Sequence, residues 1–232
     1  MAFSYEWLEC RVALGAQTVA IRSAATFSTE DRARGREALP FGSVLWPAAI
    51  VLADRLCKSP ELVAKKRVLE LGAGLGLVAI VADQLGAKEV VASDGHSDMP
   101  EMYAHNAEKN GVTPRYVHYD WSTTPPEALG TFDVVLASDV LYELNACTLL
   151  ADAIARTLAP DGVAIISDPG RPHWPRFLKK IEARGLAHQD QRAHLPPSND
   201  PGLDRVLQMH PTAKRNHHLL TVTRAPSVDA KP

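Results

Sequence analysis

The sequence predicts an α/β fold, a Rossmann-like, doubly wound and mostly parallel seven-stranded sheet with a late antiparallel strand and a short N-terminal extension. Short apolar runs alternate along the chain with segments of helical periodicity, which is typical of βαβ units. The runs at 134–136 and 163–166 lack polar alternation, as expected for strands buried on both faces. Glycines at 72, 74 and 76 join the first such run to a helix-like segment.

Residues 1–39 precede this pattern and are predicted to form the N-terminal extension. Partial alternation over residues 11–22 predicts a short hairpin. Residues 28–38 are charged and lack an apolar stripe, so we expect a solvated loop or a weak helix there. Pro, Gly and Trp in Leu39–Pro47 indicate a shaped connection, and apolar spacing then predicts a helix over Ala48–Leu56.

Residues 40–224 are predicted to form one domain. Its first strand, Arg67–Leu71, leads into the glycine turn, and the helix that follows is expected to stop at Gly86. Apolar runs bounded by Gly, Pro and Asn define the later elements. Strands are predicted over Glu89–Asp94, Pro114–Tyr119, Phe132–Ala137, Val163–Ser167, Ala187–His194 and His217–Arg224, and helices over Asp98–Asn110, Ala146–Leu158 and 174–184. We expect a loop over Pro196–Gly202 and a disordered tail over 225–232.

Composition limits the class of protein. The chain has 232 residues, 46% hydrophobic and 22% charged, which suits one large globular domain. A formal net charge of −2 provides no strong field for nucleic acid or an anionic membrane, so neither is an expected partner. The N-terminus lacks signal-peptide features, apolar runs are too short for a membrane span, and the three cysteines are isolated. We therefore expect a cytoplasmic protein, and the scattered histidines indicate no metal site.

Polar side chains stand at the end of each predicted parallel strand. In open α/β sheets, ligands bind outside the carboxyl ends of the strands. We therefore predict that these side chains surround one binding site, although a helix N-cap is the competing interpretation for any one carboxylate. The residues are Glu70, Asp94, Asp120, Ser138 with Asp139, and Asp168.

The glycine turn indicates what kind of ligand this site takes. Asp94 lies about 20 residues beyond the turn, where an acidic side chain binds ribose hydroxyls in dinucleotide sites. A dinucleotide fingerprint also needs glycine at position 77, which is Leu77 here. The chain has no P-loop motif, and the turn carries no Lys or Arg to neutralise a pyrophosphate. A nucleoside with a cationic centre therefore suits this acid-rich edge better.

Several motifs resemble those of one enzyme family. Glu70-Leu71-Gly72-Ala73-Gly74-Leu75-Gly76, with Asp94, resembles the motifs of class I, seven-β-strand S-adenosylmethionine-dependent methyltransferases. Leu45-Trp46-Pro47, Asp120-Trp121 and Asp139-Val140-Leu141-Tyr142 are similar to motifs of the DxxY group, which includes many protein-lysine methyltransferases. Asp168-Pro169-Gly170-Arg171 is similar to a stretch in the branch that methylates the electron-transfer flavoprotein β-subunit. The resemblance covers about residues 40–224, but the first 38 residues match no motif.

The resemblance implies that the cofactor is S-adenosyl-L-methionine. Gly72, Ala73 and Gly74 would lie under its methionine and ribose. Glu70 would organise the turn and reach the methionine ammonium through water. Asp94 would bind both ribose hydroxyls.

Four further residues would complete the cofactor site by the same resemblance. Asp120 would contact the adenine amine, and Trp121 would lie against the adenine ring. Trp46 would close the methionine side. Ser138 would contact the cofactor through its backbone.

The resemblance places the acceptor at Asp139 and Tyr142. The nucleophile of a methyl transfer must be uncharged, and a lysine amine in water has a pKa near 10.4. We expect Asp139 to orient the amine and accept its proton, and Tyr142 to line the site; a helix N-cap and simple packing are the competing interpretations. The resulting hypothesis is methylation of a lysine in a protein substrate.

Three other functions stay open at this point. A small-molecule amine or N-heterocycle could be the acceptor, with Leu39–Pro47 and the histidines at 173, 194 and 210 walling a small pocket. A cofactor-binding module without catalysis is disfavoured, because the strand-end carboxylates are intact. A nicotinamide dehydrogenase is least favoured because of Leu77.

Overall fold

The computed structural model describes residues 7–24, 40–113, 115–125, 129–214 and 216–225. The predicted loop or helix over 28–38, the predicted boundary at residue 39 and the predicted tail beyond 225 lie outside the described residues. The hairpin consists of β1 (Trp7–Leu14) and β2 (Gln17–Ala24), which pair antiparallel as a separate sheet.

The main sheet has seven strands and confirms the predicted fold class. They are β3 (Arg67–Leu71), β4 (Glu89–Asp94), β5 (Arg115–His118), β6 (Phe132–Ser138), β7 (Leu158–Asp168), β8 (Leu186–Ala193) and β9 (His217–Arg224). Their order across the sheet is β5-β4-β3-β6-β7-β9-β8. Strands β3 to β7 run parallel, and β9 pairs antiparallel with both β7 and β8. The late antiparallel strand is therefore β9.

Helices cover both faces of the main sheet. Those of the described chain are α1 (Pro47–Lys58), α2 (Leu77–Gln84), α3 (Met99–Lys109), α4 (Ala146–Thr157), α5 (Trp174–Glu182) and α6 (Pro201–Gln208). Successive strand residues point to opposite faces, so Val68 joins the core that contains α1, α2 and α3, whereas Leu69 joins the core that contains α4 and α5. None of these helices has the length and hydrophobicity of a membrane span.

The hairpin is held against α3 by two asparagines. Asn106 Oδ1 accepts from the Arg22 N–H at 2.8 Å, and Asn106 Nδ2 donates to the Leu75 carbonyl at 3.0 Å. Asn110 Oδ1 and Nδ2 bind the N–H and carbonyl of Ala20 at 2.9 and 2.7 Å. Asn110 directly follows the last residue of α3 and lies four positions after Asn106, a spacing that puts both amides on the side facing β2. Asn106 also reaches the glycine turn through the Leu75 carbonyl.

Helix α6 begins at Pro201, so the expected loop over Pro196–Gly202 is wrong at its last two residues, and the rest of α6 lies in a stretch for which the sequence predicted no element. The Asp200 side chain caps the helix by accepting from the Leu203 N–H at 2.8 Å, and Pro201 occupies the first turn. Leu203 and Val206 are buried in the core that also holds the hairpin. The Asp-Pro start and this apolar spacing are the signals that could have predicted α6.

Candidate active site

A cavity of 680 Å³ opens at the carboxyl ends of the parallel strands. Ten of the eleven predicted site residues line it, and Glu70 does not. The wall is formed by Gly72–Leu77 after β3, Asp94–His96 at the end of β4, Tyr119–Ser122 after β5, Ser138–Val140 with Tyr142 after β6, Arg171 after β7, and residues 40–42 and 44–46 before α1. Its volume is in the range of small-molecule sites.

The glycine turn forms the floor of the cavity. Gly74 has a φ of 51°, and a Cβ there would stand 2.9 Å from the Gly42 carbonyl oxygen. Only glycine allows these two backbone segments to approach so closely in this conformation. The Gly72 and Ala73 N–H groups both donate to the Ser93 carbonyl at 2.9 Å, which fixes the turn to the end of β4.

Glu70 lies beneath the turn and is 1% exposed. Its Oε2 accepts from the Ala79 N–H at 2.8 Å, in the first turn of α2. Burial raises the pKa of Glu70 to about 8, although the bond from Ala79 acts in the opposite direction. Glu70 therefore fastens α2 to β3, and its water-mediated contact with a ligand ammonium stays a prediction.

Asp94 connects the glycine turn to the loop after β4. Its Oδ2 accepts from the Gly74 N–H at 3.0 Å, and its Oδ1 accepts from the His96 N–H at 3.0 Å. These two bonds fix the orientation of the carboxylate at the cavity wall. A hydroxyl donor entering the cavity would meet an anionic acceptor held in place.

Asp120 and Trp121 form the wall after β5. Asp120 Oδ1 accepts from the Ser122 N–H at 2.8 Å, and this bond lowers the pKa of Asp120. The Trp121 ring stands 3.4 Å from where a Cβ on Gly72 would lie. The indole Nε1 of Trp121 is buried and has no hydrogen-bond partner among the described residues. An aromatic face and a fixed carboxylate thus lie side by side.

Asp139 and Arg171 form an ion pair at the β6 side of the cavity. Arg171 Nε donates to Asp139 Oδ1 at 2.5 Å, and the side chains are 22% and 1% exposed respectively. Asp139 has a φ of 56°, which is uncommon for a residue with a Cβ. The pair was not among the sequence predictions; the opposite charges after the adjacent strands β6 and β7 were the available signal.

Asp168 lies behind the wall and is fully buried. Its Oδ1 accepts from the backbone N–H groups of Gly170 and Arg171 at 2.8 and 2.7 Å. Burial raises the pKa of Asp168 despite these bonds. This carboxylate shapes the loop after β7, and the prediction that it stands in the binding site with the other strand ends is not supported, since it is not among the residues lining the cavity.

Aromatic rings surround the mouth of the cavity. Trp46 Nε1 donates to the Phe41 carbonyl at 2.8 Å, and the Phe41 and Tyr142 rings are 5.1 Å apart. His210 packs on Trp46 at 4.7 Å between ring centroids. Burial lowers the pKa of His210 to about 4, so its ring is neutral near pH 7. His210 therefore supports Trp46 from behind, and none of the histidines at 173, 194 and 210 lines the cavity.

The described part of the chain holds no cluster of three His, Cys, Asp or Glu side chains suited to a metal ion. The cavity instead combines three features. They are a glycine floor with a fixed carboxylate, an aromatic wall, and an Asp–Arg pair at the β6 side. Such an arrangement can hold a nucleoside and place a second molecule beside it.

Comparison with known proteins gives one family. A family model described as lysine methyltransferase matches residues 33–184. The electron transfer flavoprotein beta subunit lysine methyltransferase of Xenopus laevis is 30% identical over 136 residues, covering 58% of this chain and 54% of the relative. The protein N-terminal and lysine N-methyltransferase EFM7 of Candida glabrata is 33% identical over 146 residues, covering 57% of each chain. The chain thus spans about half the length of these curated relatives.

A solved structure extends the likeness to nearly the whole chain. It is the T. thermophilus 16S rRNA N2 G1207 methyltransferase (RsmC) in complex with AdoMet and guanosine. The TM-score is 0.64 at 18% identity, over 96% of this chain and 51% of that chain. At this identity the comparison shows the fold alone.

Proposed function

The chain belongs to the lysine methyltransferase family, whose model matches residues 33–184, and from this we propose that it transfers a methyl group from S-adenosyl-L-methionine to a lysine side chain of a protein. One observation carries the proposal. Asp94 and the glycine turn lie on the wall of the same cavity as Asp139 and Tyr142, so a nucleoside cofactor and an acceptor would meet there. The electron transfer flavoprotein β-subunit, named for the Xenopus relative, is the first acceptor to test.

The residues of the cavity fit the cofactor. The glycine floor leaves room for the methionine and ribose, and a Cβ on Gly72 would lie 2.8 Å from Val140 Cγ1. The fixed Asp94 carboxylate suits ribose hydroxyls, and the partnerless Trp121 Nε1 stands in the wall beside Gly72. When bound, the cofactor supplies a sulfonium methyl group that an amine takes by in-line displacement, the N–C bond forming as the C–S bond breaks.

We assign the remaining cofactor contacts as the motifs imply. All of the assigned residues except Glu70 line the cavity. Glu70 lies beneath the glycine turn, where its carboxylate accepts from the Ala79 N–H. The full set is Trp46, Glu70, Gly72, Ala73, Gly74, Asp94, Asp120, Trp121 and Ser138.

Asp139 and Tyr142 act on the acceptor in this proposal. Asp139 is buried, whereas Tyr142 is 46% exposed and packs against Phe41 at the mouth. A lysine stem passing these rings reaches the carboxylate, which accepts an N–H bond and aims the nitrogen lone pair. Withdrawal of the amine from water favours its neutral form, and alignment of nucleophile and methyl lowers the barrier by several kcal/mol, on the order of the effect known for oriented reactants.

The proposal is tested by methyl transfer from labelled S-adenosylmethionine into the electron transfer flavoprotein β-subunit and into cell extract separated by size. We expect label in protein with the wild type and a loss of about a hundredfold or more in Asp139→Asn, a magnitude typical of one acid–base group. Asp98→Asn, at an exposed carboxylate, is the matched control. Label confined to small molecules, or undiminished label in Asp139→Asn, would contradict lysine methylation of protein.

A further inference from the structure

Arg171 has no role in the function described so far, yet it lines the cavity and pairs with Asp139. We propose that Arg171 is a positioning residue that offsets the charge of Asp139, so that an acceptor amine is held in its neutral, nucleophilic form. This inference rests on the proposed lysine methylation and names a determinant of that reaction.

Arg171 is fixed in place by three contacts on separate elements. Its Nε binds Asp139 Oδ1 after β6, and its backbone N–H binds Asp168 Oδ1 at the end of β7. Its guanidinium carbon lies 5.6 Å from the centre of the Trp46 ring, within the range of a cation–π contact. The guanidinium is thus held between the acceptor carboxylate and the aromatic mouth.

The charges that line the cavity explain why the position of the Arg171 guanidinium matters. Among the described residues that line the cavity, Arg171 is the sole Arg or Lys, and the same lining holds four carboxylates: Asp94, Asp120, Asp139 and Glu143. Carboxylates favour the ammonium form of a nearby amine, which has no lone pair to attack a methyl group. A cation beside Asp139 opposes that effect at the point where the amine must be neutral.

Groups from several elements face the pair and bear on its response to pH. Asp168 is close to both members, and His210 and Tyr142 each interact electrostatically with Arg171. The groups are Asp168 from β7, Tyr142 and Glu143 from the loop after β6, His210 from the segment after α6, His218 from β9 beside Gly170, and Asp94 from β4. All of these groups remain in an Arg171 variant. A change in how the methylation rate depends on pH would therefore come from loss of the guanidinium.

The chemistry sets the direction of the effect. The acceptor ammonium first gives its proton to water or to Asp139; the nitrogen lone pair then forms the N–C bond while the C–S electron pair stays on sulfur. Removal of the Arg171 charge stabilises the ammonium, so deprotonation needs a higher pH. We expect Arg171→Gln to move the acidic limb of the rate profile up by about one pH unit, which is about tenfold in rate below that limb.

The experiment measures initial rates of label transfer into the electron transfer flavoprotein β-subunit, or the most strongly labelled extract protein, from pH 6.5 to 9.5. Arg171→Gln is compared with the wild type and with Arg171→Lys, which keeps the charge and is expected to keep the profile near that of the wild type. S-adenosylmethionine binding is measured by calorimetry for both variants, because retained binding shows that the cavity has formed.

Arg184→Gln is the matched control, because Arg184, in the turn after α5, binds Asp152 Oδ1 of α4 through its Nε at 2.8 Å, and neither residue lines the cavity. Its profile is expected to stay unshifted. In an Asp139→Asn background, Arg171→Gln should cause a much smaller shift, because the carboxylate that it offsets is gone.

The outcomes separate this inference from the proposed function. Wild-type enzyme that labels no protein overturns both. Labelling by the wild type with an unshifted Arg171→Gln profile, or the same shift in Arg171→Lys, overturns the role of the Arg171 charge and leaves lysine methylation standing.

Discussion

At the residue scale, Asp94 makes two contributions: its carboxylate accepts a hydrogen bond that fixes the glycine turn, and the same carboxylate lines the cavity. We predict that Asp94→Asn weakens S-adenosylmethionine binding by about tenfold to a hundredfold, the usual effect of losing a charged acceptor. Calorimetry measures the dissociation constant. Asp98→Asn, at the exposed start of α3, provides the comparison, and an Asp94→Asn affinity equal to that of this control would contradict the role in cofactor binding.

Gly76 and Gly86 form a natural pair for testing close packing. Their φ angles are 83° and 80°, but a Cβ on Gly76 would lie 2.3 Å from Tyr103 Cδ2, whereas one on Gly86 meets nothing within 4 Å. We predict that Gly86→Ala costs about 1–2 kcal/mol from backbone strain alone, and that Gly76→Ala costs about 1–3 kcal/mol more from overpacking. Urea unfolding measures both, and equal losses would show that Tyr103 yields without cost.

Much of the site could be predicted from the order of residues along the chain, because parallel strands bring their carboxyl ends to one edge of the sheet. Gly74, Asp94, Asp120 and Asp139 were placed on that principle, and they line one cavity. The pairing of Asp139 with Arg171 did not follow, because it depends on the path of two loops 32 residues apart. The burial of Glu70 also depends on how α2 packs on β3.

At the scale of elements, the hairpin depends on α3 through Asn106, whose side chain is fully buried. We predict that Asn106→Ala lowers the free energy of unfolding by about 2–4 kcal/mol, because it leaves the Arg22 N–H and the Leu75 carbonyl without this partner. His105→Ala, on the exposed side of the same helix, should change it by less than about 0.5 kcal/mol. Urea unfolding and hydrogen exchange at the Arg22 amide measure the effect, and unchanged exchange would contradict the link.

The elements differed in how well periodicity predicted them. Helices α1 to α5 and most strands of the main sheet have apolar patterns of their own, and the structure forms them near the predicted bounds. Strand β7 is the exception, because it begins at Leu158 rather than at the predicted Val163. Helix α6 is short and follows a Pro-rich stretch, so turn signals outweighed its apolar spacing. The contact between α3 and β2 uses polar amides, which hydrophobic periodicity does not detect.

At the scale of the whole molecule, Glu70 makes stability depend on pH. Its pKa in the folded protein is about 8, above the ordinary value of 4.5. The unfolded chain therefore loses this proton at lower pH, so the free energy of unfolding falls as pH rises from about 4.5 to 8 and levels off above that. Asp168, whose pKa is also raised, acts in the same direction.

We predict that Glu70→Gln makes this decline shallower, because a neutral amide still offers an oxygen to the Ala79 N–H but does not titrate. Urea unfolding at pH 5, 6.5 and 8 gives the slopes for both proteins. Asp133→Asn, at an exposed carboxylate, should leave the slope close to that of the wild type. Parallel slopes for wild type and Glu70→Gln would show that Glu70 does not titrate in this range.

The position of β9 has a consequence for the order in which the molecule is assembled. This strand is the last one in the described part of the chain, yet it stands between β7 and β8 in the sheet. The described pairing of β8 is with β9 alone. During synthesis β8 is therefore not fully paired in the main sheet until all of β9, His217–Arg224, has left the ribosome. Strands β3 to β6, whose carboxyl ends carry most of the cavity wall, can therefore fold early. The loop that carries Arg171 gains its neighbouring strand only when translation of β9 is complete.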